Sequence, residues 1–211
     1  MTSPIEIYAA TRPQDGRPGN EDGFAIGRGG LPYAALCDGS GNAQGVAKRA
    51  LGIFQKLIGE ASPEEVSRFQ TWSNWAKLLD SSLLGGPQST FLAVAVVGNR
   101  LVGCCAGDSR LYRWNLDGQV QILTEDAPKQ RLGGGQVDPF PIHAPVLEGE
   151  ILLLMSDGAW TPLGIPVIQR VLGRYANRHF SDLPSALLAE AGNNGCADDM
   201  TVVALRTTPR Q

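Results

Sequence analysis

The chain has 211 residues, a formal net charge of −3 and 43% hydrophobic residues. This length suits one domain with an ample core, so we expect residues 1–211 to form a single domain. The absence of a basic stripe argues against nucleic acid as a partner. The longest apolar run, Phe91 to Val97, is far shorter than the roughly 20 residues that a membrane helix needs.

The first residues of the chain and its cysteines bear on the cellular compartment. Residues 1–6 carry neither a basic segment nor a long apolar stretch, so we expect no signal peptide. The four cysteines, Cys37, Cys104, Cys105 and Cys196, lack the spacing of a zinc site, and the first three lie in or beside apolar strands. We interpret them as reduced thiols, which predicts a cytoplasmic protein.

Short strands and two helices are predicted in the first part of the chain. The apolar segments between glycine-rich turns predict strands at Ile5–Thr11, Gly23–Gly27 and Tyr33–Cys37. Apolar residues at helical spacing then predict a helix over Gln44–Ile58. Ser62, Pro63 and Glu65 form a capping-box signature, which predicts a second helix from there to Leu84.

A four-stranded meander is predicted next, with turns at Gly98-Asn99 and Asp117-Gly118. Its strands are Thr90–Val97, Leu101–Ala106, Leu111–Asn115 and Val120–Leu123. Four prolines and three consecutive glycines predict an irregular loop over Thr124–Gly149. The remaining predicted elements are a strand at Ile151–Met155, helices near Ile165–Ala176 and Leu183–Ala191, and a strand at Met200–Arg206. The pattern supports an α+β fold.

Carboxylates at the ends of apolar strands are the most informative feature of the sequence. Asp38 and Asp157 each follow an apolar strand and precede a glycine, Asp108 follows another strand, and Asp198-Asp199 precedes the last one. An ionised carboxylate beside a buried strand loses its water, and several become stable together when they share a cation. Oxygen ligands select hard ions such as Mg²⁺ or Mn²⁺. The sequence therefore predicts a hydrolytic centre with two cations.

Each of these motifs alone has a simpler interpretation. Asp-Gly is a common turn, because both residues tolerate positive φ. Asp198-Asp199 also suits a solvated strand entry, and Arg17 also suits a solvated loop. Their combination favours the site.

Five motifs in this order resemble the metal-dependent protein serine/threonine phosphatases of the PP2C (PPM) family, in particular the short bacterial members. The motifs are Arg17-x-x-Asn20-Glu21-Asp22, Asp38-Gly39, Gly107-Asp108-Ser109-Arg110, Ser156-Asp157-Gly158 and Asp198-Asp199-x-Thr201. The match runs from Arg17 to about Leu205. The resemblance implies an α/β/β/α sandwich of two antiparallel sheets flanked by helices. It also implies hydrolysis of phosphoserine and phosphothreonine on proteins by a water molecule that two metal ions activate.

The resemblance implies the metal ligands as well. Asp38 would bridge two Mn²⁺ or Mg²⁺ ions, Gly39 would offer its carbonyl to one of them, and Asp157 and Asp198 would hold the other. Asp108 resembles the ligand that, with Asp157, holds a third ion in bacterial members.

Three further residues and the partners follow from the same resemblance. Glu21 and Asp22 would orient metal-bound waters, and Arg17 would clamp the phosphoryl oxygens with its planar fork of donors. The implied partner is a phosphorylated protein, and the implied role is to reverse phosphorylation by a bacterial serine/threonine kinase. Neither nucleic acid nor a membrane is expected.

The sequence departs from the family in two places. Ser40 stands where many members carry a histidine that is proposed as general acid, so either a metal-bound water serves instead or the protonation of the leaving group is slow. His143 and His179 lie outside the motifs. The segment between Asp108 and Asp157 is short for the family, which reduces the usual substrate-contacting flap to the loop around Gly133–Gly135.

Three alternative functions fit parts of the sequence. Residues 104–110 fit Cys-x-x-Gly-x-x-Arg, the phosphate loop of cysteine-dependent phosphatases. That loop should open a helix, whereas the residues after Arg110 indicate a strand, and Asp108 would place a negative charge in an anion cradle. The second alternative is a phosphoprotein-binding module with weak catalysis, which the nearly complete set of ligands disfavours. The third is a regulatory phosphatase of the SpoIIE type, which shares the fold and metals.

Overall fold

The computed structural model describes residues 4–17, 19–40 and 45–208. In chain order, the strands are β1 (Ile5–Arg12), β2 (Asp22–Gly27), β3 (Tyr33–Asp38), β4 (Phe91–Val97), β5 (Arg100–Ala106), β6 (Arg110–Trp114), β7 (Val120–Ile122), β8 (Phe140–Pro145), β9 (Ile151–Met155) and β10 (Met200–Thr207). The helices are α1 (Val46–Glu60), α2 (Pro63–Val66), α3 (Phe69–Leu83), α4 (Asp157–Trp160), α5 (Gly164–Tyr175) and α6 (Leu183–Asn193), with a 3₁₀ turn at Phe180–Asp182.

Two antiparallel five-stranded sheets stack face to face. One has the strand order β1-β10-β9-β6-β7, and the other has the order β2-β3-β4-β5-β8. Helices α1 and α3 pack on the outer face of the second sheet, and α5 and α6 pack on the outer face of the first. The predicted α/β/β/α sandwich is therefore confirmed, and nine of the ten strands of the described residues lie where strands were predicted, β8 being the exception.

The core has three apolar layers, one between the sheets and one beneath each group of helices. In β4, Leu92 and Val94 point between the sheets, whereas Phe91 and Ala93 point toward α1 and α3. Because successive side chains of a strand alternate between its faces, a strand that is buried on both faces reads as a continuous apolar run.

The predicted helix from Ser62 to Leu84 is wrong as a single element. Ser62 and Glu65 do form the predicted capping box, but α2 stops at Val66 and α3 starts at Phe69. Arg68 between them has extended backbone angles, φ −98° and ψ 123°. The indole Nε1 of Trp72 donates a hydrogen bond of 2.8 Å to the carbonyl of Val66. The indole thus supplies the hydrogen bond that the Val66 carbonyl would have accepted from a backbone N–H in a continuous helix.

The predicted four-stranded meander is also wrong, although both of its hairpins form. Strand β5 pairs with β4 and β8, whereas β6 pairs with β7 and β9 in the other sheet. The chain crosses between the sheets over residues 107–109. Gly107 has φ 104°, and a Cβ at this position would lie 2.7 Å from the side chain of Thr90, so the crossing requires glycine. Asp108 consequently lies at the junction of the two sheets.

The predicted irregular loop over Thr124–Gly149 contains strand β8, which pairs with β5. Pro141 and Pro145 lie in β8 without breaking the sheet, because β8 is an edge strand and proline is tolerated there. The predicted start of α1 at Gln44 and the motif residue Pro18 lie outside the described residues. Within the described ranges, every helix is too short or too polar to span a bilayer.

Candidate metal centre

Two acidic side chains meet where β2 begins and β3 ends. Asp22 and Asp38 are partners in the antiparallel register of these strands. Asp38 is 8% exposed and Asp22 is 5% exposed. The backbone of Asp38 is tied to Thr90, directly before β4, because the Asp38 N–H donates to Thr90 Oγ1 at 2.9 Å and the Thr90 N–H donates to the Asp38 carbonyl at 2.8 Å.

Three carboxylates converge at this end of the sandwich. Oxygen atoms of Asp38, Asp108 and Asp157 all lie within 4.8 Å of one another. Asp38 ends β3 in one sheet, Asp157 follows β9 in the other sheet, and Asp108 lies at the crossing between them. The stacking of the sheets therefore brings together acids that are up to 119 positions apart in sequence, as 157 minus 38 gives.

Asp157 is positioned by the junction of β9 with β10. Ser156 anchors the junction, because its N–H donates to the carbonyl of Thr201 at 3.1 Å and its Oγ accepts the Thr201 N–H at 2.8 Å. Asp157 then opens α4, so Asp157-Gly158 is a helix start and not the hairpin turn of the simpler interpretation. A Cβ on Gly158 would overlap the carbonyl oxygen of Asp199. Glycine here lets α4 approach the strand entry that carries Asp198 and Asp199.

The electrostatics of the centre fit a divalent cation with oxygen ligands. Oδ2 of Asp22 and Oδ2 of Asp38 are buried and have no hydrogen-bond partner. Burial, with added repulsion from Asp22 and Asp157, raises the pKa of Asp38 to about 9. Burial also raises the pKa of Asp22 to about 7, and burial beside Asp108 and Asp198 raises the pKa of Asp157. Buried acids with unpartnered oxygens suit a Mn²⁺ or Mg²⁺ ion.

Arg131 is a residue of this site that the sequence analysis missed. Its Nη2 lies 3.0 Å from Asp108 Oδ1, and its Nη1 lies 3.8 Å from Asp38 Oδ1. Arg131 belongs to the segment that we predicted as an irregular loop. Its local sequence carries no signal for this position, because the contacts that place it involve residues distant in the chain.

The two adjacent acids before β10 have different surroundings. Asp199 is buried, and its two carboxylate oxygens accept the backbone N–H groups of Gln14 at 2.7 Å and Glu21 at 2.6 Å. It therefore holds the segment before β2 in place, a role that the sequence analysis did not assign. Asp198 is exposed and is not among the three converging acids, although it contributes to the raised pKa of Asp157. Its role as a ligand stays a prediction.

The other predicted site residues are adjacent in sequence to Asp22 or Asp38, or contact residues that are. Arg17 Nη1 is 3.6 Å from Glu21 Oε2, and the Arg17 side chain is 40% exposed. The Gly39 N–H donates to the carbonyl of Glu21 at 3.2 Å, which joins the two predicted motifs. Ser40 donates from both its N–H and its Oγ to the carbonyl of Gln88. The metal and phosphate contacts of Arg17, Glu21 and Gly39 stay predictions.

The alternative of a cysteine-dependent phosphatase is contradicted. Cys104 and Cys105 are fully buried residues of β5, and burial raises the pKa of the Cys104 thiol. Arg110 opens β6, and its guanidinium carbon lies 3.6 Å from the ring centroid of Trp160. The segment therefore forms neither a phosphate cradle nor a helix start.

Clefts border two of the three acids. One of about 170 Å³ is lined by Asp108, Lys129, Asp157 and Trp160, among others. Another of about 310 Å³ is lined by Asp157, Pro162, Cys196 and Asp198, among others. Asp108 and Asp157 are therefore reachable from solvent.

Comparison with known proteins relates this geometry to solved structures. No protein-family model and no curated protein matches the chain in sequence. The catalytic domain of the serine/threonine protein phosphatase PstP, solved with two manganese ions, superposes with a TM-score of 0.85 at 21% identity, over 97% of this chain and 99% of that one. The serine/threonine phosphatase of S. agalactiae gives a TM-score of 0.84 at 21% identity, over 96% and 99% of the two chains.

A third structure, PppA of Pseudomonas aeruginosa, gives a TM-score of 0.80 at 20% identity, over 97% of this chain and 98% of that one. All three matches span nearly the whole of both chains. The sandwich of two sheets flanked by helices is therefore shared with these structures. The chain therefore has the fold of the bacterial PP2C-type serine/threonine phosphatases.

Proposed function

We propose that this protein is a metal-dependent protein phosphatase that hydrolyses phosphoserine and phosphothreonine on proteins. The observation that carries the proposal is the convergence of Asp38, Asp108 and Asp157 beside buried carboxylate oxygens that lack a partner. The fold supports it, since a solved neighbour is a phosphatase in complex with two manganese ions.

The proposed chemistry divides between the ions and the chain. Two divalent cations, when bound, would lower the pKa of a water molecule and neutralise charge on a phosphate ester. Asp38 and Asp157 would hold these ions, with Asp198 and the Gly39 carbonyl completing the set. Glu21 and Asp22 would orient water through their carboxylates. No protein nucleophile is required, which agrees with the burial of Cys104 and Cys105.

Arg17 would bind the phosphoryl group of the substrate. Its side chain is partly exposed and lies near Glu21, whose carbonyl accepts a hydrogen bond from Gly39, the residue after Asp38. A planar fork of N–H donors matches the oxygens of a phosphate group. Glu21 would hold the fork in orientation.

The proposal extends to partners and compartment. The substrate would be a phosphorylated protein, modified by a serine/threonine kinase that this enzyme opposes. A cytoplasmic location is supported by the free thiols of Cys37, Cys104 and Cys105, which suit a reducing compartment. We also retain the expectation of a single domain over residues 1–211. A regulatory phosphatase of the SpoIIE type would use the same metals, and the Arg17–Asp22 segment favours the PP2C branch.

A series of matched variants tests the proposal. With Mn²⁺ present, the parent protein should release phosphate from a phosphothreonine peptide, and Asp38→Asn and Asp157→Asn should each lose most of that rate. Asp117→Asn removes a carboxylate from the exposed turn between β6 and β7 and should keep the parental rate. Parental turnover in the Asp38 and Asp157 variants would remove the metal centre from the mechanism. Binding of the phosphopeptide without hydrolysis by the parent would instead support the binding-module alternative.

A further inference from the structure

Arg131 contacts two of the three converging acids at once. One guanidinium nitrogen is 3.0 Å from Asp108 Oδ1, and the other is 3.8 Å from Asp38 Oδ1. The side chains of Arg131, Asp38 and Asp108 are 20%, 11% and 28% exposed, so the group is largely shielded from water. Partial burial strengthens the attraction between the charges compared with an ion pair on an open surface.

The backbone that follows Arg131 is fastened to two other elements. Leu132 exchanges two backbone hydrogen bonds with Ser89, of 2.8 and 3.2 Å, and Ser89 Oγ donates to the carbonyl of Asp38 at 3.1 Å. The buried carboxylate of Asp80 on α3 accepts the backbone N–H groups of Gly133 at 2.7 Å and Gly135 at 3.0 Å. These bonds hold in place the backbone from which the Arg131 guanidinium reaches the acids.

Arg131 and a divalent cation require the same oxygen atoms. A cation bound by Asp108 would use the carboxylate that now accepts from Arg131, and it would repel the guanidinium at short range. Building on the function proposed above, we propose that Arg131 is the built-in counter-ion of the metal-free centre. It competes with a divalent cation for the Asp108 side of the site, and a cation that binds there displaces it.

A cleft beside Arg131 could receive the displaced guanidinium. Arg131 borders a cleft of about 300 Å³ that is also lined by Gln88, Gln130, Gln136 and the exposed, solvent-screened Lys129. Side-chain amides offer carbonyl oxygens that accept hydrogen bonds from a guanidinium. A rotation of the Arg131 side chain would therefore exchange carboxylate partners for amide partners without movement of the fastened backbone.

Calorimetric titration with Mn²⁺, without substrate, tests the competition. Arg131→Gln should tighten the weakest Mn²⁺ site by about 10-fold or more, since it removes a charged hydrogen-bonding competitor. Arg131→Lys should tighten it less, because an ammonium keeps the charge but lacks the fork that reaches both acids. Lys56→Gln removes the same charge from the exposed face of α1, outside the clefts described above, and should change the affinity by less than about two-fold, as expected for a solvent-screened charge.

Thermal unfolding gives a second readout. In EDTA, Arg131→Gln should unfold at a lower temperature than the parent, because the acids lose their counter-ion. Saturating Mn²⁺ should remove that difference. If Arg131→Gln does not fold even with Mn²⁺, the same comparison is made with Arg131→Lys.

The outcomes separate this inference from the proposed function. A parent protein that binds no Mn²⁺ would overturn both. A parent that binds Mn²⁺ while Arg131→Gln binds it equally or more weakly would overturn the competition and leave the metal centre intact. Equal tightening by Arg131→Gln and Lys56→Gln would also overturn it, since the effect would then be that of net charge alone.

Discussion

Asp22 and Asp38 face each other across the antiparallel pair β2–β3, and each carries a buried Oδ2 without a hydrogen-bond partner. Partners in register place their side chains on the same face of a sheet, close enough to interact. Two buried carboxylates this close are stable when they hold protons or share a cation. This relationship links protonation, metal binding and stability in one site.

The first prediction is that the metal-free protein loses stability as the pH rises. The folded-state pKa is about 9 for Asp38 and about 7 for Asp22, against 3.8 for an unperturbed aspartate. Between these limits the folded state binds more protons than the unfolded state, so the free energy of unfolding falls with increasing pH. The contribution of these acids is complete below about pH 4 and is lost as the pH rises through about 7 and then about 9.

Thermal unfolding in EDTA from pH 5 to pH 9 measures this effect. The melting temperature should fall across the range, and Asp38→Asn should flatten the fall, because an amide has no proton to lose. Saturating Mn²⁺ should weaken or reverse the trend, since the cation binds the ionised carboxylates. The same slope in the parent protein and in Asp38→Asn would contradict the assignment.

Most of the elements could be predicted from sequence because their causes are local. Apolar segments between turns predicted every strand of the described residues except β8, whose prolines indicated a loop, and capping residues predicted the start of α2. The partition of the strands between sheets could not be predicted in this way. Whether β5 pairs with β6 or with β8 depends on how the sheets pack, and no pattern within either strand encodes it.

The residues of the candidate site also differ in whether local sequence could predict them. Asp38, Asp108 and Asp157 stand at strand ends, so local pattern identified them, and the structure brings them together. Arg131 is placed by Asp80 and by Ser89, which are 51 and 42 positions away in the chain (131 minus 80 and 131 minus 89). Nothing in its immediate sequence distinguishes it from a loop arginine.

A second prediction concerns the binding of substrate by Arg17. Arg17→Ala should raise KM while leaving Mn²⁺ affinity close to that of the parent, because Arg17 pairs with Glu21 and does not contact the three converging acids. Loss of a charged hydrogen bond, worth roughly 1.5–3 kcal/mol, corresponds to about 10–150-fold in kcat/KM. Steady-state kinetics and Mn²⁺ calorimetry measure the two effects separately. Unchanged kinetics would return Arg17 to the role of a solvated loop residue.

Cys104→Ser provides a third prediction, on the absence of a thiolate mechanism. Cys104 Sγ faces the helical layer, 3.9 Å from the carbonyl of Trp72, so it cannot reach a substrate at the three acids. Phosphatase activity should stay within a few-fold of the parent. Circular dichroism should accompany the assay, because a polar atom is introduced into the core. A folded variant with no activity would revive the cysteine mechanism.

Asp108 carries the fourth prediction. It lies nearest to Arg131 and lines the cleft of about 170 Å³, so it should contribute more to turnover than to binding of the core pair of ions. Asp108→Ala should keep two tightly bound Mn²⁺ ions and lose much of kcat, most strongly on phosphopeptides with poor leaving groups. Calorimetry beside kinetics on a phosphopeptide and on p-nitrophenyl phosphate measures this. A variant that cleaves both substrates at the parental rate would contradict it.

The central claim is that the acids at the junction of the two sheets hold the ions on which phosphate release depends. The most direct test follows phosphate release from a phosphothreonine peptide in one sample, first with Mn²⁺, then after excess EDTA, then after Mn²⁺ is restored in excess. The account predicts that release stops with EDTA and resumes with Mn²⁺. Continued release in EDTA, or no release with either Mn²⁺ or Mg²⁺, would contradict it.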